Sequence, residues 1–169
     1  MLMRTKLLIT IAFSLCFPAS VFGESEFGAW ERVEPSDVRN SEDWVLRKKQ
    51  LDFNLSANGD FDGDSIPDEV YFAKNISSGK YAVLIKMGVS KGKPILFDSD
   101  NLKDLPRMGI SLVRPGAYSS KCEEKDSRLQ GCKARVVLKN DGFSIFMYES
   151  AARVAYFENM KWQSFWIGD

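Results

Sequence analysis

The sequence predicts a mainly β fold: antiparallel hairpins in one compact domain, a β-sandwich or a propeller-blade-like sheet, with at most one or two short helices. Three observations predict it. Runs rich in β-branched and aromatic residues recur from residue 69 to residue 167. Short turns carrying Gly or Asn separate several of them at hairpin distance. In the run FSIFMYE (143–149), Phe143, Ile145 and Met147 fall on one face and Phe146 and Tyr148 on the other, the mark of a central strand covered on both sides.

Taken in order, residues 1–23 are set apart by composition. Arg4 and Lys6 precede an apolar run over 7–17, and PASVFG leads to Glu24. A cationic start, a short apolar stretch and a small residue before a charged one make a secretory signal peptide, with cleavage expected after Gly23. The apolar run is too short to span a bilayer. Leu15 before Cys16 is too bulky for a lipoprotein cleavage site. Removing 23 of the 169 residues leaves 146, a suitable length for one domain, residues 24–169, with its own core. Its 21 cations against 23 anions give a net charge of −2, which does not favour nucleic acid or anionic lipid. No later apolar run is long enough to span a membrane. The expected location is periplasmic or secreted.

Residues 24–40 read as a polar lead-in with one short helix at Pro35-Ser36-Asp37. Residues 41–55 carry two signals. SEDWVLRKKQ opens as a capped helix with early acids, whereas LDFNLSA alternates, with Leu51, Phe53 and Leu55 on one face. A strand feeding the following loop is the preferred reading. EVYFAK (69–74) and KYAVLIKM (80–87) form a hairpin around NISSG, and residues 94–97 a further short strand. Residues 99–114 read as irregular. ARVVLK (134–139) and FSIFMYE flank Asn140-Asp141-Gly142, an expected hairpin turn. Residues 153–157 and 162–167 form a last hairpin around Glu158-Asn159-Met160-Lys161.

The chain contains no histidine. Ser–His–Asp and Cys–His catalysis and His-ligated zinc are therefore excluded. With Cys16 in the leader, Cys122 and Cys132 remain. In an exported chain they read as one disulfide around a polar loop, since soft-metal ligation needs further thiolate or imidazole partners.

The most specific stretch is DFDGDSIPDEV, residues 60–70. Counting from Asp60, carboxylates fall at positions 1, 3, 5 and 9 (Asp60, Asp62, Asp64 and Asp68), and Ile66 at position 7 offers a backbone carbonyl. Hard oxygens at alternating positions of a tight loop suit Ca²⁺, which takes six to eight of them, better than Mg²⁺ with its strict octahedron. Four crowded carboxylates also repel one another without a cation. An EF-hand is excluded: position 6 is Ser65, position 12 is Phe72, and a strand follows. Residues 60–72, within about 58–74, instead resemble an FG-GAP/VCBS repeat of integrin-α-like proteins, which runs roughly D-x-(D/N)-G-D-G-x-x-D into an apolar strand. The resemblance implies calcium held by Asp60, Asp62, Asp64, the Ile66 carbonyl and Asp68 within a β-hairpin. Ser65 replaces the second glycine, and the motif occurs once, which argues against a many-bladed propeller. Glu69 is placed beside the site, not in it.

The aromatic residues Tyr148, Tyr156, Phe157, Trp162, Phe165 and Trp166 read as core and cross-strand pairs in preference to a binding platform. No spacing marks Glu149 and an aspartate as a hydrolytic pair. The expectation is an exported non-catalytic binding protein with one structural calcium loop, of periplasmic inhibitor or immunity type, with a protein partner. The competing expectation is a calcium-dependent hydrolase of the cell envelope.

Overall fold

A computed structural model describes residues 30–48, 54–90, 92–121, 133–148, 150 and 152–167. Residues 1–23, expected to be a signal peptide, Glu149 and both Cys122 and Cys132 lie outside the described residues. Two antiparallel sheets face each other across one apolar core, with a two-stranded hairpin outside the second sheet. The mainly β, antiparallel expectation therefore holds.

The chain enters through β1 (Glu31–Arg32), α1 (Pro35–Val38) and α2 (Glu42–Lys48). Proline at the start of α1 fits its fixed φ, and Glu34 and Asp37 form a reciprocal capping box. In residues 41–55 the helical signal prevails first: Glu42 and Asp43 occupy the positive end of α2. The strand preferred for this stretch begins only at β2 (Ser56–Gly59), and Leu51 and Phe53 lie outside the described residues.

In the first sheet β3 (Asp68–Asn75) pairs with β4 (Lys80–Lys86) as predicted, closed by a turn in which Gly79 takes φ +64° and the Asn75 carboxamide accepts the Ser78 N–H. β1 and β2 share the other edge of β3 end to end, and β5 (Ile95–Asn101) flanks β4. The β4–β5 register shifts between Val83 and Leu84: Asp98 opposes Val83 and Leu96 opposes Leu84, leaving Phe97 as the extra residue. This bulge accompanies an inward-facing Phe97 ring, 5.4 Å from Phe143 and 5.9 Å from Trp162.

Residues 99–114 are more ordered than their composition suggests. A 3-10 helix (Leu102–Arg107), capped by the Asn101 side chain, leads into β6 (Met108–Val113). Gly109 and Pro106 weaken the strand signal here. In the fold, however, Gly109 lies under Phe146, whose ring comes within 2.5 Å of a Cβ placed at Gly109. An aromatic side chain thus covers the glycine from the neighbouring strand.

The second sheet runs β11 (Lys161–Ile167), β10 (Ala152–Glu158), β9 (Gly142–Met147), β6. β9 is central, as its two-faced pattern predicts. The β10–β11 hairpin also holds. Its loop residues Asn159 and Met160 take φ +52° and +61°, the pair of positive values a tight two-residue hairpin loop requires.

The hairpin predicted at Asn140-Asp141-Gly142 does not form. β8 (Arg135–Leu138) pairs with β7 (Gly116–Ser119) and β9 pairs with β6 and β10. None of the three turn residues takes a positive φ, so the expected primed turn is absent. Gly142 serves close packing instead: a Cβ there would meet the Ala155 carbonyl oxygen at 2.6 Å.

The core joins Val70, Phe72, Val83 and Ile85 of the first sheet to Ile110, Phe143, Ile145 and Ala155 of the second. A second cluster, Val136, Leu138, Val154, Tyr156 and Phe165, seats the β7–β8 hairpin on the outer face of the second sheet. Both faces of that sheet are thereby covered. Burying a large apolar side chain contributes roughly 1.5–3 kcal/mol. Among the described residues no helix is long and apolar enough to cross a membrane.

Candidate metal site

Residues 60–67 connect β2 to β3 at one end of the first sheet. The loop is built from side chain-to-backbone hydrogen bonds, as Asp-rich turns are. Asp60 Oδ1 accepts the Gly63 N–H at 2.8 Å and its Oδ2 accepts the Ser65 N–H at 3.0 Å. Asp62 Oδ1 accepts the Asp64 N–H at 3.1 Å, and Asp64 Oδ1 the Ile66 N–H at 2.7 Å. Gly63 and Ser65 both sit in the left-handed region, at φ +83° and +68°. Serine thus adopts the conformation that the second glycine of the resembled motif supplies without a Cβ penalty.

Asp68 anchors the assembly. It is 1% exposed, with Oδ2 accepting the buried Phe61 N–H at 2.9 Å and Oδ1 the Gly88 N–H at 2.8 Å. Phe61, between the first two aspartates, is fully buried against Phe143 at 5.5 Å and Trp162 at 6.0 Å. One side of the loop is therefore core and the other, residues 63–67, is exposed.

Of the predicted ligands, the structure brings carboxylate oxygens of Asp60, Asp62 and Asp68 within 4.8 Å of one another. Asp64 lies outside this group on the exposed side, and the Ile66 side chain points to solvent. Glu69 faces away and pairs with Arg32 at 2.7 Å. Burial is the largest cause holding the Asp62 carboxyl above its usual range, opposed by the Asp64 N–H and reinforced by the charges of Asp68, Asp64 and Asp60. Hydrogen bonding uses part of each carboxylate's acceptor capacity, since an ionised carboxylate offers about four lone-pair positions. Three hard oxygen donors at this spacing can face one cation.

Two neighbours carried no signal in the sequence beyond that of a turn. Asp141 Oδ2 accepts the Asp60 N–H at 3.2 Å, and the Asp141 N–H donates to the Asp60 carbonyl, also at 3.2 Å. Asn140 covers Gly63 so closely that a Cβ there would meet its side-chain amide at 2.7 Å. Of the C-terminal aromatics, Tyr156 and Phe165 are buried, and Phe157 and Trp162 meet edge to face at 5.4 Å. Trp166 is half exposed beside Arg153, which pairs with Asp98. Core packing thus accounts for most of the group.

Comparison with known proteins gives no significant match to a family model, a curated protein or a solved structure.

Proposed function

We propose that the protein is an exported, non-catalytic binding protein whose loop 60–69 holds one structural Ca²⁺ in the manner of an FG-GAP/VCBS repeat. The convergence of Asp60, Asp62 and Asp68 oxygens within 4.8 Å carries this reading. Oxygens on opposite sides of a calcium ion lie about 4.6–5.2 Å apart, given Ca–O distances of roughly 2.3–2.6 Å. The donor set is all oxygen, as calcium prefers. The resemblance makes Asp64 and the Ile66 carbonyl further donors, and Asp64 would join the ion only by turning in from the exposed side.

A structural role is favoured because the Asp60 and Asp68 carboxylates tie the loop backbone together, so a cation facing their remaining lone pairs orders that same loop. The absence of histidine from the sequence agrees. The partner class, a protein capped in the periplasm in the manner of an inhibitor or immunity protein, rests on size and the exported reading alone. A disulfide between Cys122 and Cys132 would make the polar segment between them a candidate recognition loop.

Three measurements test it. Melting in calcium and in chelator should differ, by about 2.7 kcal/mol at a hundredfold excess over Kd. Identical curves where calorimetry sees no binding would reduce the loop to a turn. Pull-down from the native extract should return a stoichiometric protein partner, lost on replacing residues 123–131. Metal-dependent turnover of a glycan, phosphoester or peptide, abolished by Asp64→Ala in a folded protein, would replace this reading with an enzyme.

A further inference from the structure

The acidic loop belongs to the first sheet, yet part of its support comes from the second. Asp141 lies 81 residues away, in the connection that enters β9. It meets Asp60 in a reciprocal pair: its carboxylate accepts the Asp60 N–H, and its own N–H donates to the Asp60 carbonyl. Its Cβ lies within 3.1 Å of a Cβ placed on Gly59, so residue 59 has little room for a side chain. Asn140 closes over Gly63, where φ is +83°. Arg114, at 3.4 Å, is the cation facing Asp141. Asp141 itself is absent from the group of converging carboxylates.

We infer that Asp141 is a positioning residue for the metal loop: by fixing the Asp60 backbone to the second sheet, it sets where the Asp60 carboxylate points and so governs cation affinity without touching the ion. The inference rests on the calcium reading for its ligand and on geometry for the clamp. It also accounts for the open Asn140-Asp141-Gly142 segment, because a turn closed on itself would not present Asp141 to Asp60. Since Phe61 follows Asp60 and packs on Phe143 and Trp162, loop and inter-sheet core are joined at two adjacent residues. Calcium binding should therefore change Trp162 fluorescence.

The test compares wild type, Asp141→Ala and Asp141→Asn in the full mature chain. Calcium affinity is read by calorimetry, and amide exchange at Asp60 is read by NMR in chelator. Partners that orient metal ligands typically change affinity by 10–100-fold when removed. Alanine should weaken binding about tenfold and speed exchange at Asp60. Asparagine keeps an acceptor for the Asp60 N–H without the charge, so it should stay near wild type in both. Equal loss in both variants would make the Asp141 charge the determinant and overturn the positioning role, as would an alanine variant that binds normally. If wild type itself binds no calcium, the calcium reading fails, and exchange at Asp60 alone judges the clamp: unchanged exchange in the alanine variant refutes it. Should alanine prevent folding, Asp141→Thr, whose hydroxyl sits one bond short of the Asp60 N–H, takes its place under the same criteria.

Discussion

Replacing Asp68 by alanine separates the carboxylate's work as a backbone acceptor from its work as a cation ligand. In chelator only the first is present. The Phe61 N–H is buried and loses a charged acceptor at 2.9 Å, at a cost of about 2–3 kcal/mol for such a bond. The Gly88 N–H, at 2.8 Å, is only partly buried and can rehydrate, so its loss costs about 1 kcal/mol. Against these stands relief of repulsion from Asp60 and Asp62 within 4.8 Å, about 1 kcal/mol for each at water-like screening. The net expectation is a loss of about 1–2 kcal/mol, or a Tm drop of roughly 3–8 °C for a domain of this size. Thermal unfolding followed by circular dichroism in chelator measures it, with amide exchange at Phe61 as the local readout. Asp68→Asn, which keeps one acceptor and removes the charge, should fall between. An alanine variant as stable as wild type in chelator would refute the reasoning. It would mean that carboxylate repulsion fully offsets the hydrogen bonds.

Three further outcomes are expected. The raised Asp62 carboxyl binds protons more readily in the folded than in the unfolded chain, so metal-free stability should fall as pH rises from the ordinary value of 3.8 through the raised one. Asp62→Asn should flatten that part of a stability–pH curve, and an unchanged slope would contradict the assignment. Gly88→Ala should destabilise by about 1–3 kcal/mol in urea denaturation, because its Cβ would lie 2.4 Å from the Pro67 carbonyl oxygen; a neutral result would mean that residues 66–67 can move aside. Unreduced mass spectrometry of the exported protein should give a start at Glu24 and no titratable thiol, and an intact leader or two free thiols would refute the exported, disulfide-bonded reading.

Most strands were legible because a half-buried strand leaves a local mark. EVYFAK, KYAVLIKM and FSIFMYE carry their alternation or apolar density in themselves, and the tight turn at Asn159-Met160 is set by the length between two runs. The acidic loop was legible for the same reason, since Asp60, Asp62, Asp64 and Asp68 lie within nine residues and their spacing is a local property. Strand β6 was not. Gly109 and Pro106 hide it, and the compensating ring of Phe146 lies 37 residues further on.

The sequence by itself determined a mainly β chain, the position of an oxygen-rich loop ahead of a strand, and the exclusion of imidazole chemistry. Tertiary structure alone decided which strands pair across long intervals, why Phe97 bulges into the core, and which carboxylates meet. It set Asp68 beneath the loop as a buried acceptor, left Asp64 on the exposed side and drew Asp141 out of a turn to hold Asp60. The physical reason is one of range. Turn and strand preferences act over a few neighbouring residues, so they can be read in order along the chain. Close approach, burial and hydrogen bonding between Asp60 and Asp141 exist only once two sheets have packed face to face.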